Sequence, residues 1–326
     1  MISRTDSIGD VVLTLPMAGL LKQNYPECRV IFLGRSYTKD VVSVCRFVDD
    51  FINYDDVEKM PWYAAVKYLR STRAKVFIHV FPRMHIAWLA FSAMIKHRAG
   101  TRSRWYHIPF CNHLADLHRK NSDLHESQLN LKLMAFMNIN TRLSTDEISS
   151  LTGMSNLSAL PAHIAGMIDP SRINVILHPK SKGSAAEWGI ENFSQLIGLL
   201  TSDRYKVFIS GTAQDGVAMQ DLLLRHRDVV NLCGLLSLRE FIAFITKADV
   251  LVAASTGPLH IAASVGIRAV GLYSARRPIF PRRWSPLGAK AHALVSDEKC
   301  TGCAKGEACD CIRRILPSRV KEFIDL

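Results

Sequence analysis

No apolar run in this chain approaches the roughly 18 residues a helix needs to cross a bilayer. The longest, Ile86–Ile95, reads as a buried helix. The first residues lack the basic region, apolar stretch and small-residue cleavage site of a secretory leader, so the chain is expected to stay in the cytoplasm. Neither half carries G-x-G-x-x-G after its first strand, which argues against a dinucleotide dehydrogenase. Helix-turn-helix and zinc-finger spacings and an RNP-like aromatic strand are missing too, so no nucleic-acid partner is expected. What remains is a chain of 326 residues, 48% hydrophobic and 21% charged, which is globular composition and enough for two cores. Its 41 Lys and Arg outweigh 29 Asp and Glu, for a net charge of +12. Such a surplus attracts anions: a nucleotide, a phosphorylated acceptor or an anionic membrane face.

Four of the eight cysteines are scattered and read as reduced core thiols: Cys28, Cys45, Cys111 and Cys233. The other four, Cys300, Cys303, Cys309 and Cys311, form C-x2-C-x5-C-x-C. Four thiols so close together in a cytosolic chain suggest tetrahedral zinc, although the C-x-C half bites tightly for it. Thiols without metal and an iron–sulfur cluster stay open. On any of these readings the segment is a structural knuckle before the last helix, with no catalytic part.

Strands and helices alternate along both halves, the pattern of parallel α/β sheets. In the first half, Cys28–Leu33 and Lys75–Val80 read as strands, the second a continuous apolar run typical of a sheet covered on both faces. Asp10–Asn24 reads as a helix kinked at Pro16, and 102–124 as polar and irregular. A weakly patterned stretch, 140–170, marks the boundary between domains 1–155 and 156–326. The expected architecture is two doubly wound, Rossmann-like parallel-sheet domains facing a central cleft.

Residues 252–273 carry the strongest signal. An apolar strand enters the turn Ser255-Thr256-Gly257-Pro258, and a helix follows with Pro in its first turn. The N–H groups at such a helix start favour an anion, Thr256 offers a hydroxyl and Gly257 permits close approach. A second strand–turn–helix element lies at 3–16, with Asp6, Ser7 and Gly9 in its turn and Asp10 opening its helix. A carboxylate there suits a general base, or merely caps the helix.

Together R-T-D-S-I-G-D-V-V-L-T-L-P (4–16), H-P-K-S-K-G-S-A-A-E-W (178–188), N-L-C-G-L-L-S-L-R-E-F (231–241) and S-T-G-P-L-H-I-A-A (255–263) resemble, in order, the motifs of the ADP-heptose:lipopolysaccharide heptosyltransferases. The resemblance spans nearly the whole chain. It implies the GT-B fold of glycosyltransferase family 9, with the final helix, about 317–326, crossing back to the first domain. It also implies an inverting transfer of heptose from ADP-heptose to the Kdo or heptose region of the lipopolysaccharide inner core, beside the inner membrane. Asp10 takes the role of base. Thr256 and Gly257 face the donor diphosphate, with Lys180, Lys182, Ser184, Ser255 and His260 around them. Gly9, Arg83, His85, Arg102 and Arg104 are assigned to the anionic acceptor. The chain departs from the family at Ala186, where a lysine is common, and at Ser255, where an acidic residue is common. It has no D-x-D motif, which fits a reaction needing no metal or other cofactor at the diphosphate. A transferase or epimerase using another nucleotide sugar, and an inactive nucleotide-sugar-binding protein, are the alternatives.

Overall fold

A computed structural model describes residues 1–119, 122–181, 183–297, 299–305 and 309–326. The chain forms two compact units, Met1–Asn156 and Leu157–Leu326.

The first unit is built on six parallel strands: β1 (Ile2–Ser3), β2 (Ile31–Gly34), β3 (Asp50–Asn53), β4 (Val76–His79), β5 (His97–Thr101) and β6 (His113–Ala115). Their order is β3-β2-β1-β4-β5-β6. Ser3 of β1 stands level with Leu33 of β2 and His79 of β4. The chain therefore reverses its direction of travel between β1 and β4, the place where open α/β sheets take ligands. Ile31, Leu33, Phe77, Ile86 and Leu89 belong to one buried cluster, as sheet and covering helices share one core.

The second unit repeats the plan with β7 (Ile173–His178), β8 (Tyr205–Ile209), β9 (Val230–Asn231), β10 (Val250–Ala254), β11 (Arg268–Tyr273) and β12 (Ala291–Val295). Their order is β12-β11-β10-β7-β8-β9, all parallel, so β7 and β10 flank the second reversal. Val250–Ala254 is buried at every position, as a strand covered on both faces must be.

Three expectations need correction. Pro16 does not kink one helix: it opens a second, Pro16–Asn24, after Ile8–Val12 has ended, because a proline without an N–H fits a first turn better than an interior. The stretch 102–124 is not wholly irregular, since it holds the short helix His107–Phe110 and β6, whose pairing to β5 polar composition concealed. The last helix, Pro317–Asp325, spends its apolar face on the second unit: Val320 and Ile324 lie in that core, and Arg268 Nη1 donates to Ile324 O at 2.8 Å.

Candidate active site

The carboxyl end of β1 runs directly into a buried charge cluster. Arg4 is almost fully buried. Its Nε and Nη2 donate to the two oxygens of Asp6 at 2.7 and 3.0 Å, a fork-to-fork pair. Nη2 also reaches Asp10 Oδ1, and Nη1 reaches Glu126 Oε1 at 3.2 Å and Asn130 Oδ1 at 3.3 Å. Arg119 adds a second guanidinium against Glu126 and Asn130. Ser7 Oγ donates to the other Asp10 oxygen. Among the described residues three carboxylates thus face two guanidiniums. Burial, with Asp10 nearby, pushes the Asp6 carboxyl up to about 6 although Arg4 opposes it. Asp10 sits in the first turn of the Ile8–Val12 helix, and Gly9 is buried beside it.

Arg83 belongs to the same edge: its Nε donates to Thr5 Oγ1 at 2.8 Å and its guanidinium lies over Phe81. His85 is turned elsewhere. Its Nδ1 meets Tyr54 Oη at 2.9 Å and its ring stands edge-on to Trp62. Arg102 and Arg104 are exposed on the segment between β5 and β6.

In the second unit the residues after β7 and β10 line the reversal. Lys180 Nζ donates to Glu187 Oε2 at 2.8 Å. Burial raises the Glu187 carboxyl, but Lys180 and the Ser181 amide outweigh it and hold it below its ordinary value. Ser184 is exposed and its hydroxyl closes its own turn on Ser181 O. Gly183, at φ +78°, allows that turn. Lys182 lies outside the described residues. Trp188 is fully buried, donates Nε1 to Ile315 O at 2.9 Å and meets Phe193 edge-on, so it anchors packing. Thr256 occupies the N-cap of the Gly257–Ser264 helix but its side chain makes no capping bond. Thr256 Oγ1 is buried with no hydrogen-bond partner among the described residues. A buried hydroxyl left this way costs free energy unless something arrives to bond it. Ser255 is half-buried before it, and His260 is buried one turn inside. No acidic residue stands in that first turn.

The structure therefore brings Gly9, Asp10 and Arg83 to the reversal of the first sheet. It brings Lys180, Ser255, Thr256 and Gly257 to that of the second. Two features went unread in the sequence. One is the partner set of Arg4, because Glu126 and Asn130 are over a hundred residues away. The other is a basic aromatic face. Residues 59–115 hold ten Lys or Arg and no Asp or Glu. From that stretch Met84 (51%), Trp88 (48%) and Phe91 (46%) project from one side of the Met84–Ser92 helix into solvent, with Met94, Trp105 and Ile108 also exposed. Trp62 stacks on Trp88 at 4.0 Å, and Arg98 lies over Phe91. The missing acidic residues were the readable signal.

Comparison with known proteins agrees with this geometry. The glycosyltransferase family 9 (heptosyltransferase) family model matches residues 62–311. Lipopolysaccharide heptosyltransferase 3 of Escherichia coli K12 is 24% identical over 296 residues, covering 85% of this chain and 83% of its own. Among solved structures, E. coli ADP-heptose LPS heptosyltransferase II superposes with a TM-score of 0.75 at 19% identity, covering 99% of this chain and 97% of that one. E. coli heptosyltransferase WaaC with ADP gives 0.73 at 17% identity, covering 99% and 98%. With two parallel six-stranded sheets of GT-B type and a family match over most of its length, the chain belongs to glycosyltransferase family 9, the heptosyltransferases of lipopolysaccharide core synthesis.

Proposed function

We propose that this enzyme transfers heptose from ADP-heptose to a Kdo or heptose hydroxyl of the lipopolysaccharide inner core, inverting the anomeric centre, with no metal at the diphosphate. The carrying observation is the buried, unpartnered Thr256 hydroxyl at the start of an acid-free helix beside the second sheet's reversal. That hydroxyl and the adjacent N–H groups suit a diphosphate oxygen, and Lys180 supplies a cation after β7. As the acceptor oxygen bonds to the anomeric carbon, the bond from that carbon to the diphosphate breaks. Asp10 takes the acceptor proton, and ADP leaves with the bonding electrons, stabilised by Thr256, Gly257 and Lys180. A second reading gives the proton to Asp6, whose raised carboxyl is closer to neutrality. The test is ADP release from ADP-heptose with and without a Kdo-containing lipid A acceptor. Acceptor-dependent release is expected; release without acceptor would favour another reaction on the scaffold.

Thr256→Val separates binding from packing. Removing a hydroxyl that no described residue satisfies should leave the melting temperature unchanged or higher. The same change should raise the donor KM about tenfold by deleting one bond to a charged oxygen. A lowered melting temperature with unchanged KM would make Thr256 structural only.

The basic aromatic face of the first unit supports contact with an anionic membrane, where a lipid-anchored acceptor resides. Exposed Trp, Phe and Met flanked by Lys67, Arg70, Lys96, Arg98, Arg102 and Arg104 match an interface with acidic headgroups. The chain is expected to sediment with vesicles containing phosphatidylglycerol and much less with phosphatidylcholine alone. The double variant Met84→Glu/Trp105→Glu should lose that binding with its melting temperature kept. Binding indifferent to lipid charge or to the variant would assign the face to something else.

A further inference from the structure

The four clustered cysteines take no part in the chemistry above, and their placement asks for an explanation of its own. The Sγ atoms of Cys300, Cys303, Cys309 and Cys311 all lie within 4.8 Å of one another. Cys300 and Cys309 approach to 3.2 Å and Cys303 and Cys311 to 3.4 Å, and all four are free thiols. Those separations are far beyond the roughly 2.05 Å of a disulfide. They bracket, with the 4.8 Å limit, the roughly 3.8 Å edge of a tetrahedron whose metal–sulfur legs are about 2.3 Å.

Before Cys311 the described residues of this segment have little regular structure, whereas Ile312 and Ile315 after it belong to the core of the second unit. The segment's described helical pieces are Thr301–Ala304 and the 3₁₀ turn Cys311–Arg314, each four residues long and too short to persist alone. The buried apolar cluster here consists of the cysteines, with Ala275 as the other apolar residue packed on it among the described residues. That is a small apolar area for ordering a loop, and small loop-rich segments of this kind are stapled by metal or disulfide. We propose that Cys300, Cys303, Cys309 and Cys311 bind one divalent, thiophilic metal ion as four thiolates. Zinc and ferrous iron both suit four sulfurs in a tetrahedron.

The centre would brace the ligand-facing edge of the second sheet. Ala275, packed on the cysteines, follows β11, and Ser296, which follows β12, donates its hydroxyl to Cys311 O at 2.6 Å. From Cys311 the chain continues to Arg313 and Ile315, whose carbonyls accept from Asn192 Nδ2 at 2.8 Å and Trp188 Nε1 at 2.9 Å. Trp188 ends the segment that begins at His178 after β7. A pinned Cys311 thus fixes the support of the Lys180 segment.

The full chain, purified with reductant and then incubated anaerobically with Zn(II) or Fe(II) and desalted, should carry about one ion per chain. Elemental analysis of the chain as isolated tells zinc from iron. Cys303→Ser and Cys311→Ser should each lose the ion, and Cys28→Ser, outside the cluster, should keep it. Co(II) in wild-type protein should give the charge-transfer bands of a tetrahedral thiolate site, a readout independent of whether the serine variants fold. Retention of no ion by reduced wild type would overturn the proposal. So would a native mass lowered by two pairs of hydrogens, which means two disulfides. The metal readouts do not depend on the transferase reading. A donor KM that rises several-fold on metal removal does, and is the check on bracing.

Discussion

Asp10→Asn is expected to lower kcat for heptose transfer by about 1,000-fold while donor KM changes little, because a general base contributes to the transition state far more than to binding. Asn keeps the size and one oxygen of Asp10, so the fold of the Ile8–Val12 helix should persist. The comparison that decides is Asp6→Asn. Asp6 and Asp10 share the Arg4 guanidinium, and burial holds the Asp6 carboxyl up at about 6, so the activity should rise with pH through a value near 6. If Asp10→Asn abolishes the rising limb and Asp6→Asn only shifts it, Asp10 is the base. If Asp6→Asn alone removes activity, the proton goes to Asp6. Steady-state kinetics from pH 5 to 9 on both variants separates these results.

Arg4→Met should destabilise the first unit by about 3–5 kcal/mol at pH 8, the usual cost of breaking a buried ion cluster from one side. The methionine fills the stem volume but leaves Asp6, Asp10 and Glu126 with Arg119 as the one guanidinium left from the pair. The pH dependence distinguishes this from a packing defect. In the variant Asp6, already raised, loses the guanidinium that opposed the rise, so its folded-state pKa stands further above its unfolded value near 4. The carboxyl therefore subtracts stability above the folded value and recovers it as pH falls, by proton uptake in the folded state. Asp6 already stands at about 6 with Arg4 present, so the window opens above pH 6 and closes near 4. Denaturant unfolding should show the deficit shrinking between pH 8 and pH 5. A deficit equal at both would mean lost packing.

The fold was legible because its signals are local. Apolar runs such as Val76–His79 and Val250–Ala254 mark buried strands, and Ser237 and Glu240, three residues apart, close a capping box. The motifs after β1, β7 and β10 were legible for the same reason. What sequence could not show is who partners whom across long separations. Nothing local in the sequence ties Arg4 to Glu126 and Asn130, or His85, assigned to the acceptor, to Tyr54. The bond from Trp188 to Ile315 O is likewise invisible in the sequence, because the partner lies 127 residues on. The outer strand β6 was hidden because an edge strand needs few apolar residues.

The repeated strand order has one more consequence. Matching the two sheets strand for strand puts β7 in the place of β1 and β10 in that of β4. At the first pair of positions the chain writes opposite signs: Asp6 and Asp10 after β1, Lys180 after β7. At the second pair, Arg83 starts one helix already tied to Thr5, whereas Thr256 starts the other with its hydroxyl unspent. One scaffold thus appears twice with its polarity reversed, like a mould and its cast. The proposed division of labour between proton acceptor and anion holder rests on different residues at corresponding corners of one topology, used twice.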